Sequence, residues 1–295
     1  MRVEVEAVTE LRFDDRTPVR SASAVARLAD GWLVAQDDAT HGAWWRGDAV
    51  VRVRLLPPAD GHETFDAASG TKHLKPDLEA ACALAADQVL LLGSGSTPSR
   101  MRAVLARADG DTVHAQVRDL TSLYAATAGA LGVADDQLNL EGACILGDTL
   151  RWWHRGLPSA GLPTASIDIP LAPLLAGDLA TPGRVRLHDL GSVEGVGLGV
   201  TDAVSLAPDS VLVSAAAEDT PNTYDDGPVV ASVLALLTEG SAPLVGRLPD
   251  VRGAVAKVEG LALVDASPGS ATLLATVDAD DPGAPSLALR LFASW

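Results

Sequence analysis

The chain has 295 residues and a mass of 30.3 kDa, with 47% apolar and 21% charged residues and no apolar run of membrane-spanning length, which excludes disorder, collagen-like repeats and a transmembrane helix. Thirty-nine acids against 22 bases give a formal charge of -17, which opposes any partner held by its phosphates, so no nucleic-acid partner is expected. Two cysteines, Cys82 and Cys144, cannot form a disulfide framework, and Met1-Arg2-Val3-Glu4-Val5-Glu6 lacks the apolar core of a signal peptide, so the expectation is a cytoplasmic protein with no membrane partner.

Along the chain, residues 2–12 form a strand-like stretch that belongs to no hairpin. Five hairpins follow, each a short apolar segment, a turn and a second apolar run. The turns are Asp30-Gly31, Ala86-Asp87, Gly147-Asp148, Ala207-Pro208-Asp209-Ser210 and Ser267-Pro268-Gly269-Ser270. Aligning the hairpins places Ser23, Glu79, Glu141, Asp202 and Glu259 in register, at spacings of 56, 62, 61 and 57 residues. The mean, 59, divides the chain into five units of the length of a four-stranded blade.

The fold expected is all-β, a single five-bladed β-propeller over residues 1–295, with six blades as the alternative if a degenerate unit lies in the 170–200 region. Strands near 261–265, 271–277 and 286–292 leave the last blade one short, so the N-terminal strand is expected to complete it and remove an open edge. Two segments interrupt the repeat, the Ala-rich 119–137, read as a short helix, and 164–179, rich in Pro and Leu.

In a blade, the first strand begins and the second ends at the same face of the ring, because the two are antiparallel neighbours. One pore mouth is therefore expected to gather Glu79, Glu141, Asp202 and Glu259 from the first strands. The second strands would add Asp37, Asp38, Ser94, Ser96, His154, Arg155, Glu218, Asp219, Asp278, Asp280 and Asp281. Carboxylates this close raise one another's pKa unless something positive answers them. A hard divalent cation, calcium, held by Glu141, Asp202, Glu259 and Asp278, is one answer. The three lysines are another: Lys257 precedes Glu259 by two residues, and Lys72 and Lys75 precede Glu79 by seven and four. With 19 of 22 bases written as Arg, three lysines beside the repeated acid mark places where a compact ammonium matters.

Candidate catalytic groups are thus Glu79, Glu141, Glu259, Lys72, Lys75, Lys257 and His73. Candidate substrate contacts are His154, Arg155, Glu218, Asp219, Asn222, Tyr224 and Ser94. The loop 218–226 packs four carboxylates, an amide, a phenol and two threonine hydroxyls into nine residues at the same mouth. Cys82 and Cys144, each three residues after an acid, read as buried hydrophobes, and Trp44-Trp45 and Trp152-Trp153 as packing between blades.

The stretches 70–79, 139–142, 217–228 and 257–260 resemble an uncharacterised family of bacterial propeller proteins, over roughly residues 20–292. More distantly, Glu141-Gly142 and Glu259-Gly260 are similar to strand heads of phytase-like and gluconolactonase or paraoxonase-type propellers, which implies calcium in the pore. The expected function is hydrolysis of an ester, lactone or phosphoester of a small molecule bound at the mouth, with a metal or a buried lysine polarising the substrate oxygen and one carboxylate of raised pKa as general base. The alternatives are a non-catalytic ligand- or protein-binding scaffold and a glycan-processing enzyme using paired carboxylates.

Overall fold

Short apolar runs joined by tight turns give each strand its sequence neighbour as partner, and the computed structural model, which describes all residues except 159–160, 220–226 and 279–282, is built almost wholly of such antiparallel pairs. After β1 (Arg2–Glu10), blade I comprises β2 (Ala22–Leu28), β3 (Gly31–Gln36), β4 (His41–Arg46) and β5 (Ala49–Arg54). Blade II comprises β6 (Leu78–Ala85), β7 (Gln88–Gly93), β8 (Arg102–Asp109) and β9 (Thr112–Asp119). Helix α1 (Thr121–Leu131) then leads to blade III, with β10 (Leu140–Leu146), β11 (Thr149–His154), β12 (Thr164–Pro170), α2 (Leu171–Ala176) and β13 (Val185–His188).

The two-residue β14 (Ser192–Val193) flanks blade IV, formed by β15 (Val196–Ala207), β16 (Ser210–Glu218), β17 (Val229–Thr238) and β18 (Leu244–Arg247). Blade V runs β19 (Val258–Ser267), β20 (Ser270–Val277), β21 (Leu287–Ser294) and then β1, whose Arg2 to Glu10 pair with Ser294 to Leu287. The ring thus has five blades and the N-terminal strand completes the last one, as expected. The segment that could have hidden a sixth holds α2 and the outer strand of blade III.

The inner strands β2, β6, β10, β15 and β19 neighbour one another in that order and β19 returns to β2. Each blade is covered on both faces, so the core is divided into five apolar clusters, one per junction between blades. The period of two along a strand sends adjacent side chains to opposite faces. Trp152 packs toward blade II beside Tyr124, while Trp153 packs toward blade IV beside Val200 and Ala203. Cys82 and Cys144 are buried free thiols in these clusters, and burial pushes Cys144 up to about 12. Among the described residues no helix is long and apolar enough to cross a membrane.

Candidate functional site: the acidic pore mouth

Every first hairpin carries a β-bulge at the same place. The pairing of first and second strands skips Ser23, Glu79, Glu141, Thr201 and Glu259, so each of these residues is extruded from the ladder. The repeat is therefore real, with one correction: blade IV contributes Thr201, and the expected equivalent, Asp202, lies one residue further along. A one-residue slip changes the side a strand residue faces, and a hairpin alignment made on acidic character alone cannot detect it.

The bulges define three tiers of side chains. Two residues before each bulge stand Ser21, Asp77, Asn139, Gly199 and Lys257. At the bulges stand Ser23, Glu79, Glu141, Thr201 and Glu259, and Asp37, Ser94, Arg155 and Asp278 stand one residue past the ends of their second strands, with Ala216 of β16 in the corresponding place. Backbone bonds tie the tiers within and between blades. The amides of Asp37, Ser94 and Arg155 donate to the carbonyls of Ser21 (3.0 Å), Asp77 (2.9 Å) and Asn139 (3.0 Å), and the amide of Asp77 donates to the Asp37 carbonyl (3.0 Å).

Two ion networks fill this frame. In the first, Lys75 binds Asp37 and lies 3.5 Å from Asp77; Arg100 binds Asp77 at 2.7 Å, and the buried Ser94 hydroxyl donates to the same carboxylate. Arg20 holds Asp38 at 2.8 Å alongside. Burial, reinforced by Asp77 and Asp38, pushes Asp37 up to about 8 against the pull of Lys75. Lys75 stays charged because Asp37, Asp77 and Glu79 outweigh its burial.

In the second network Arg155 spans Glu141 (3.0 Å) and Glu218, and Lys257 spans Glu218 (2.9 Å) and Glu259 (3.0 Å). Arg155 crosses blade IV where Gly199 leaves room: a Cβ there would meet Arg155 Cγ at 2.9 Å. Asn139 donates to Glu141 at 2.6 Å and the Gly227 amide to Glu218 at 2.9 Å. Burial raises Glu141 to about 7 despite Arg155, with Glu259 adding to the rise. Glu218, although burial works against its charge, is brought down to about 2 by Arg155 and Lys257.

Glu79 stands between the networks and accepts no hydrogen bond from any described residue. Burial first, then Asp77 and Asp37, push it well above the usual carboxylate range. Among the described residues, the carboxylates that come within 4.8 Å of one another are Asp37, Asp77 and Glu79, and these could hold a metal ion.

That is not the expected metal set. Glu141 and Glu259 are engaged by Arg155 and Lys257, and Asp278 accepts the Ser21 amide at 3.1 Å. Asp202 is bound, among the described residues, by the backbone amides of Leu261, Ala203 and Ala143. The second answer to the crowded acids, a protein ammonium or guanidinium, is the one the geometry uses at Lys75, Lys257 and Arg155.

Several expected contacts sit differently. His154 is buried behind the mouth, where burial keeps it neutral and its Nδ1 faces the Asn139 backbone at 3.0–3.2 Å, so it supports Asn139 and cannot meet a ligand directly. Ser94 is likewise enclosed as a donor to Asp77. His73 is exposed and Lys72 half-buried on a single 3-10 turn at the rim, with His73 Nδ1 3.1 Å from the Gly70 carbonyl. Asp219 is exposed, its amide bonded to Pro228. Asn222, Tyr224, Asp280 and Asp281 lie outside the described residues.

Sequence reasoning left Asp77 and Asn139 out of the candidate site and missed Arg20 and Arg100. A signal for the first two existed: the residue two before the acid is polar in Asp77-Leu78-Glu79, Asn139-Leu140-Glu141 and Lys257-Val258-Glu259. Arg20 and Arg100 reach the mouth from connecting segments and left no periodic trace.

No curated protein is similar to the chain in sequence. Solved structures similar to it include a hypothetical protein from Leishmania major (TM-score 0.47, 12% identity, 99% of this chain and 91% of that one). Another is the mannose phosphorylase MPT-4 from Leishmania mexicana (TM-score 0.47, 16% identity, 97% and 88%). A third is the hemopexin fold protein CP4 from cow pea (TM-score 0.40, 12% identity, 80% and 96%). A family model described as a family of unknown function, DUF6910, matches residues 71–282, which take in all three tiers of blades II to V, and the chain belongs to that family.

Proposed function

We propose that the pore mouth is an acid–base site that hydrolyses an ester or lactone bond in a small molecule. The observation that carries the reading is Glu79: a carboxyl without a hydrogen-bond partner among the described residues, raised well above the usual carboxylate range by burial and by the carboxyls of Asp77 and Asp37 beside it. A carboxylic acid whose proton is held more tightly by burial can give it to a leaving oxygen, and an adjacent carboxyl group such as Asp77 can take one from water. Strongly shifted acids gathered at one mouth are the mark of such sites.

The arrangement favours an uncharged ester or lactone over a phosphoester. Lys75, Arg100, Arg155 and Lys257 are each already bound to carboxylates, so a phosphate would have to displace a carboxylate to gain a cation. The likeness of the Glu-Gly strand heads to lactonase-type propellers is a reason to begin with lactones.

For calcium, the fit is poorer. Asp37, Asp77 and Glu79 offer oxygen ligands of the right kind, but Lys75 lies on Asp37 and near Asp77 and competes for the same oxygens. A divalent ion would supply polarisation of a substrate oxygen; the proton transfers belong to Glu79 and Asp77.

The test is turnover of a panel of lactones, carboxylic esters and phosphoesters by the full chain and by Glu79→Gln, with and without chelator. Hydrolysis lost by a factor of about 100 or more in Glu79→Gln supports the reading. A specific observation favours a second reading, a non-catalytic scaffold: in the chain Glu141, Arg155, Glu218, Lys257, Glu259 every carboxylate already has a protein cation beside it. Absence of turnover across the panel, with a folded protein that binds a member equally well as Glu79→Gln, would establish the scaffold.

A further inference from the structure

One residue past the bulges the inner strands carry Ala24, Ala80, Gly142, Asp202 and Gly260. Four of the five are Ala or Gly because the strands approach closely there. A Cβ on Gly142 would stand 2.6 Å from the Asp202 Cα, and one on Gly260 2.8 Å from the Ala24 Cα. Blade IV alone departs from this pattern, with an aspartate that is 0% exposed.

The Asp202 carboxylate reaches across blades. Oδ1 accepts the Ala203 amide at 2.8 Å, Oδ2 accepts the Leu261 amide of blade V at 2.7 Å, and the Ala143 amide of blade III donates to it as well. These three amides each follow the small-residue position, which Val25 and Ala81 follow in blades I and II. Among the described residues no lysine, arginine or histidine pairs with Asp202, and burial raises its carboxyl well above the usual range against the pull of the three amides. Beyond it begins a cavity of about 190 Å³ on the axis, lined by three residues from each inner strand and otherwise apolar except toward Arg27 and Ser205.

A buried carboxylate without a counter-cation is costly unless preorganised donors surround it, and backbone N–H groups converging on one point make such a set. We propose that the axis of this propeller is a carboxylate-binding site built from backbone amides of successive blades, and that Asp202 is its tethered occupant, standing where a small free carboxylate would bind. The side chain closes the mouth from the axial cavity and ties blades III, IV and V together. The proposal is independent of the acid–base reading of the mouth.

The experiment is Asp202→Gly, which gives blade IV the residue that blades III and V carry, followed by thermal unfolding of the full chain in sodium formate against sodium chloride at equal ionic strength. The variant should melt lower than the unaltered chain in chloride, and formate should restore several degrees in a saturable way while leaving the unaltered chain at its chloride value. Acetate, one methyl larger, should restore less. Equal effects of formate and chloride on the variant would overturn the proposal. If the variant is folded only in formate, the proposal stands. If it folds in neither, the isosteric Asp202→Asn decides, since its NH₂ cannot accept an amide. Exchange of the Ala143, Ala203 or Leu261 amide at least about tenfold faster than in the unaltered chain supports the site, the size set by loss of one bond to a charged acceptor. Unchanged exchange at all three refutes it.

Discussion

Glu141→Gln separates a strained acid from a structural ion pair. Glu141 is 8% exposed and sits at about 7, above its ordinary 4.5. Because the folded-state value is the higher one, the folded chain holds a proton that the unfolded chain has released between those limits, so the stability of the unaltered chain falls as pH rises from about 4.5 to about 7. At roughly 1.4 kcal/mol per pH unit the fall sums to about 3 kcal/mol. Glutamine keeps the oxygen that accepts from Asn139 and leaves Arg155 its bond to Glu218, but it cannot ionise. The difference in stability between Glu141→Gln and the unaltered chain should therefore move in favour of the variant by about 3 kcal/mol or more between pH 4 and pH 8, with Asp37 and Asp202 cancelling in the difference and Glu79, which Glu141 helps to raise, moving it the same way. Urea unfolding at half-unit pH steps measures it. A difference that is flat with pH, or that moves against the variant as pH rises, would refute the argument and make Glu141 a plain structural partner of Arg155.

Lys75→Met leaves Asp37 without its ammonium and Asp77 with Arg100 and Ser94, and should cost about 3–5 kcal/mol near pH 8, less in acid where Asp37 protonates, by chemical denaturation. The same variant, relieved of the competing ammonium, should bind calcium in titration calorimetry more tightly than the unaltered chain; equal affinities would remove Lys75 as the competitor. Gly199→Ala places a methyl 2.9 Å from Arg155 Cγ and should cost about 1–3 kcal/mol while moving the Glu141 titration seen by carboxyl NMR. Removal of residues 1–10 strips β1 from blade V, exposes the β21 edge and should give concentration-dependent aggregation on size exclusion; a monodisperse, unaltered elution would contradict the role of β1 in closing the ring.

Blade number, strand order and the return of β1 to the last blade were legible in the sequence, because turn chemistry and apolar runs are local and their spacing repeats whether or not the chain is folded. Glu79, Glu141, Glu259, Lys75 and Lys257 could be placed at one mouth for the same reason. What the sequence could not resolve was register within a strand: Thr201 and Asp202 differ by one residue, and only the bulge decides which is extruded toward the mouth and which turns to the axis. Nor could it show that Arg155 crosses over Gly199 to Glu218, that Arg20 and Arg100 reach the mouth from connecting segments, or that His154 turns inward to Asn139. These are contacts between residues far apart in the chain, set by how five sheets twist and meet at the axis. Protonation follows the same division. The sequence showed an excess of acids at the mouth, but burial and the exact neighbour of each carboxyl, which exist only in the folded ring, determine that Glu79 is pushed well above the usual carboxylate range and Glu218 brought down to about 2.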